Sequence, residues 1–86
     1  MYEIVLTDIA EKQFYKLNKQ LQERIVSVLG RIKVRPYPHI VKLAGSKYYR
    51  LRVGIYRLIL DVQEDKLIIY VIKIGKRENI YNKQPF

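Results

Sequence analysis

The stretch Tyr49-Arg50-Leu51-Arg52-Val53-Gly54-Ile55-Tyr56-Arg57-Leu58-Ile59 decides how the chain folds. Strand-like runs, Tyr48 to Val53 and Tyr56 to Gln63, flank Gly54-Ile55. A glycine at the first position of a two-residue loop suits a type II′ hairpin turn. With that loop, Val53 opposes Tyr56, Arg52 opposes Arg57 and Leu51 opposes Leu58. Tyr49, Leu51 and Val53 then share a face with Tyr56, Leu58, Leu60 and Val62, and that face is the predicted core. Arg50, Arg52 and Arg57 gather on the other face. Like charges directly across a strand pair are destabilising, so folding alone gives no reason to set Arg52 against Arg57, whereas an anion held between them does. The alternatives are stems that snorkel to solvent, or screening by Asp61 on the same face.

Beyond this hairpin, Gln63-Glu64-Asp65-Lys66 reads as a second turn, leading into an apolar strand from Leu67 to Ile74 that Gly75-Lys76-Arg77 ends. A two-residue Glu64-Asp65 turn adds Ile59, Ile68, Tyr70 and Ile72 to the arginine face. Before the hairpin, Pro36 stops a helix whose apolar residues Leu21, Ile25, Val28, Leu29 and Ile32 recur at helical spacing. Asn18 marks the break from a first helix carrying Ala10, Phe14 and Leu17, with Asp8 as its predicted N-cap and Glu11 closing a capping box. Tyr2 to Leu6 is a short strand by residue type. The order β-α-α-β-β-β predicts one α+β domain over residues 1–86, a small, mostly antiparallel sheet with an N-terminal helical hairpin packed on one face.

Eighty-six residues allow one thin core. The absence of cysteine excludes a disulfide framework, a thiol nucleophile and a zinc–cysteine site, and the single His39 cannot build a histidine cluster. No P-loop or nucleophile elbow is present, and Glu64 and Asp65 read as turn residues, so no metal or other cofactor is expected. No apolar run approaches a membrane span and no signal-peptide layout opens the chain, which gives an expected cytoplasmic location. The net charge of +9 is unevenly spread, with ten basic and four acidic residues in 39–86. That surplus favours a polyanionic partner through counterion release. What remains for chemistry is Arg, Lys and Tyr. Guanidinium groups clamp phosphate, and a tyrosine among cations can serve as a base, which is all that a ribose 2′-hydroxyl needs to attack its own phosphodiester.

The block from Tyr49 to Ile59, followed by Ile74-Gly75-Lys76-Arg77-Glu78 and Tyr81, resembles the RelE/ParE toxin superfamily over nearly the whole chain. The resemblance implies a RelE-like toxin of a type II toxin–antitoxin pair, a metal-independent endoribonuclease that cuts mRNA in the ribosomal A site. It places Arg50 and Arg52 around the scissile phosphate, where well-studied members carry Lys. Arg57 falls on the arginine that steadies the phosphate, Arg77 on one that stabilises it or assists the leaving group, and Tyr81 near the proposed general base. Lys47, Lys76 and Lys83 complete the expected RNA-binding set. The implied partners are the ribosome with its mRNA and a RelB-like antitoxin, acidic and folding on binding. Within the same fold, a ParE-like inhibitor of DNA gyrase is the alternative, and a non-catalytic RNA- or ribosome-binding module is a third reading.

Overall fold

The computed structural model describes residues 1–76. Strand β1 (Glu3–Leu6) leads into helix α1 (Asp8–Tyr15), helix α2 (Lys19–Ile32), a single 3-10 turn (Tyr37–His39) and strands β2 (Ile40–Lys42), β3 (Tyr49–Val53), β4 (Tyr56–Gln63) and β5 (Ile68–Lys76). They form one five-stranded sheet in the order β1-β5-β4-β3-β2. Only β1 with β5 is parallel; β2–β3, β3–β4 and β4–β5 are antiparallel. The α+β reading and the helical hairpin hold, with one strand more than the sequence pattern predicts. That strand, β2, covers three residues and buries only Ile40, so it carries almost no periodic signal.

Helix starts follow from side-chain capping. Thr7, not the predicted Asp8, is the N-cap of α1, its hydroxyl accepting from the Ala10 amide at 3.2 Å while Asp8 becomes the first helical residue. Asn18 both breaks the hairpin and starts α2, its Oδ1 accepting from the Leu21 amide at 2.8 Å. Ala10, Ile25, Leu29 and Ile32 from the helices close over Leu51, Val53, Leu58, Leu60, Ile69, Val71 and Ile74 of the sheet.

The hairpin register is the one the two-residue loop requires: Val53 pairs with Tyr56, Arg52 with Arg57 and Leu51 with Leu58. Gly54 takes φ +60 while Ile55 stays at negative φ, which excludes a type I′ turn and fits type II′. The following connection is longer than expected, because Gln63 pairs with Ile68 and four residues form the loop, with Leu67 at φ 55. Strand β5 also begins one residue later and runs through Gly75 to Lys76. Halfway along, the ladder slips: Leu60 pairs with Val71 but Ile59 with Lys73, leaving Ile72 bulged. The Thr7 hydroxyl donates to the Ile72 carbonyl at 2.9 Å and the Gln13 side-chain oxygen accepts from the Ile74 amide at 2.7 Å, so α1 and its cap hold the bulge from both sides.

Candidate active site

Period two puts Arg50, Arg52 and Arg57 on the sheet face away from the helices, as predicted. Arg52 is exposed and Arg50 half-buried, whereas Arg57 is only 5% exposed. One Arg57 terminal nitrogen donates to the Tyr56 carbonyl at 3.3 Å, and its Nε is buried with no hydrogen-bond partner among the described residues. Burying an unpaired donor costs about 1–3 kcal/mol, and here it belongs to a cation with a second cation directly opposite. Asp61 stands four residues along β4 from Arg57, about 13 Å away, and both its carboxylate oxygens accept from Gln63 Nε2 at 3.1 Å. On its other side Arg57 pairs with Gly75, which brings no side chain of its own to that face. An exposed cation, Arg52, and a buried one, Arg57, therefore stand directly opposite each other, a concentration of positive charge of the kind that binds phosphate.

The neighbouring positions differ from the sequence reading in informative ways. Ile59, on the arginine face as expected, is fully buried, flanked in register by Arg50 on β3 and Lys73 on β5. Ile68, Tyr70 and Ile72 are half-buried. Lys47 lies before β3, at the end of the strand away from Gly54, its ammonium 5.5 Å from the Tyr48 ring centre, and so is not brought to the Arg52–Arg57 pair. Lys76 pairs with Tyr56 and lines a cleft of about 680 Å³ with Leu21, Arg24 and Ile55, on the helix side of the sheet end. Arg77, Tyr81 and Lys83 lie outside the described residues.

Two groups of cations escaped the sequence reading. Lys73 shares the arginine face only because of the bulge. Arg24 and Arg31 of α2 line a second cleft, about 350 Å³, with Ser27, His39 and Arg52, and Arg24 packs so near the turn that a Cβ on Gly54 would meet its guanidinium at 3.3 Å. The spacing of Arg24, Ser27 and Arg31 along one helix stripe was the available signal. Among the described residues no group of three His, Cys, Asp or Glu side chains converges as a metal site, and no helix is long and apolar enough to cross a membrane.

Known proteins are similar to this chain in sequence and fold. Residues 4–81 match the family model described as the ParE toxin of the type II toxin–antitoxin system parDE. The mRNA interferase toxin RelE of Escherichia coli K12 is 32% identical over 72 residues, covering 80% of this chain and 76% of that one. The isolated E. coli RelE toxin superposes with a TM-score of 0.80 at 26% identity, covering 95% of this chain and 93% of that one. RelE in the intact E. coli RelBE toxin–antitoxin complex gives 0.77 at 29% identity, with 91% and 99% covered.

Proposed function

Because the chain belongs to the ParE toxin family of type II toxin–antitoxin systems and is a RelE-like toxin, we propose that it is an mRNA interferase cutting mRNA in the ribosomal A site. The observation that carries this reading is the buried Arg57 Nε, without a hydrogen-bond partner among the described residues and set against Arg52, a repulsion that an RNA phosphate relieves. Arg52 and Arg57 clamp the non-bridging oxygens of the scissile phosphate, and Arg50 holds the strand beside it. As the 2′-oxygen attacks phosphorus, negative charge grows on those oxygens, and fixed guanidinium groups there stabilise the transition state more than the ground state. Arg77 and Tyr81 keep the roles the family resemblance gives them, phosphate stabilisation or leaving-group assistance for Arg77 and general base for Tyr81. Restraint of the toxin falls to a RelB-like antitoxin, the kind of partner RelE has in the RelBE complex.

The matching family is described as a ParE toxin, which favours the ParE-like alternative as a second reading: inhibition of DNA gyrase without RNA cleavage. One set of assays separates them. The purified chain is added to ribosomes programmed with a defined mRNA, and separately to a gyrase supercoiling reaction. The interferase reading expects A-site cleavage, 2′,3′-cyclic or 3′-phosphate ends, resistance to chelator on intact ribosomes, and no cut at a 2′-deoxy nucleotide. Blocked supercoiling with uncut mRNA would replace it by the gyrase reading.

A further inference from the structure

We propose that Lys73 is a further catalytic residue, the group that protonates the departing oxygen when RNA is cut; this rests on the interferase reading above. Strand β5 enters the sheet with Ile68 opposite Gln63 and Tyr70 opposite Asp61, both on the arginine face. Strict alternation would then send Ile72 and Ile74 to that face and Lys73 towards the helices. The bulge at Ile72 inverts the phase, so that Ile74 enters the core at 3% exposure and Lys73 emerges opposite Ile59. Bulges beside active sites commonly re-aim a side chain in this way. The bulge here is pinned by Thr7 and Gln13, with no glycine at its centre.

The result is a row across three strands, Arg50, Ile59 and Lys73, with Cα atoms of the two cations about 10 Å apart. Arg57 stands two residues from Ile59 on the same face, and Gly75 opposite it brings no side chain between Lys73 and Arg57. A diester held by Arg52 and Arg57 therefore lies within reach of the Lys73 ammonium. The three arginines supply charge but keep their protons at any working pH. Lysine supplies charge and can also give up a proton. In the step assigned to it, the ribose 2′-oxygen bonds to phosphorus and its proton passes to a base. The bond from phosphorus to the 5′-oxygen breaks, its electron pair stays on that oxygen, and the oxygen takes a proton from Lys73. A 2′,3′-cyclic phosphate and a 5′-hydroxyl result, and water reprotonates the amine.

The test uses programmed ribosomes carrying either ordinary mRNA or mRNA with a bridging 5′-sulfur at the cut site, since a thiolate leaves without a proton. Lys73→Met and Lys73→Arg are both expected to slow cleavage of ordinary mRNA by about a hundredfold or more, the range of general acid catalysis, and to cut the sulfur substrate within a few-fold of the unmodified chain. Slowing of both substrates alike, or near-normal cleavage by Lys73→Arg, would overturn the proton-donor assignment in favour of charge alone. Unaltered cleavage in both variants would remove Lys73 from the site. If the unmodified chain cuts neither substrate, the interferase reading fails, and this assignment with it.

Discussion

Leu58 and Ile59 are consecutive on β4 and both fully buried, yet they are buried by different means. Leu58 belongs to the cluster formed with Ile25, Leu29 and Ile32 of α2, where helix closes over sheet. Ile59 stands outside that cluster, between the long side chains of Arg50 and Lys73. One face of the sheet is stabilised by apolar packing of whole elements, and the other sets Ile59 in register between two long charged residues whose stems can cover apolar surface. A strand with period two can thus build the core and the site with alternate residues. Mutations on the first face act on stability, and those of the cations on the second act on chemistry.

The largest effect that sharpens this contrast is Leu58→Ala set beside Ile59→Ala. In urea unfolding, Leu58→Ala is expected to cost about 3–5 kcal/mol, because the rigid helices cannot fall into the cavity. Ile59→Ala is expected nearer 2 kcal/mol, since flexible Arg and Lys stems can collapse into the space. Equal costs would mean that the arginine face is packed as firmly as the core. A smaller effect probes the turn that fixes the register. Gly54→Ala places a Cβ at φ +60 and against the movable Arg24 guanidinium, and is expected to cost about 1–2 kcal/mol in the same assay.

The smallest effect concerns Tyr37, near the outer edge of the sheet. Desolvation of its hydroxyl, and then its hydrogen bond to the Glu64 carboxylate, push Tyr37 above the ordinary tyrosine range. A group whose folded-state pKa is raised stabilises the fold below its unfolded pKa, about 10, and loses that contribution as pH rises beyond it. Tyr37→Phe is therefore expected to flatten the decline in melting temperature above about pH 10, and only slightly, because Tyr37 is 41% exposed. An identical alkaline decline in both proteins would show that the Tyr37–Glu64 bond contributes nothing.

The hairpin register and its two faces were legible because Gly54 fixes the loop, and the loop fixes every pair from Val53–Tyr56 to Tyr49–Leu60. The helix start was displaced by one residue because Thr7 and Asp8 are both good caps, and backbone geometry, not residue type, chooses between them. Strand β2 was illegible because two of its three residues are exposed. The bulge at Ile72 depends on partners 65 and 61 residues away in sequence, Thr7 and Gln13, so no local pattern announces it, and with it the placement of Lys73 was hidden. Arg50, Arg52 and Arg57 were found by pairing alone; that Arg57 is buried with an orphaned Nε required the three-dimensional structure.

Arg57→Met tests most directly whether the opposed arginines are held for phosphate. Methionine keeps most of the buried stem and removes both the unpaired donor and the repulsion from Arg52. A thermal melt and an A-site cleavage assay on the same preparation give the answer. The melting temperature is expected to hold or to rise by several degrees, the shift for about 1 kcal/mol in a domain of this size. Cleavage is expected to fall by about a hundredfold or more, the loss for one preorganised charge-stabilising donor. A melting temperature lowered by several degrees with cleavage retained would make Arg57 a structural residue and contradict the account.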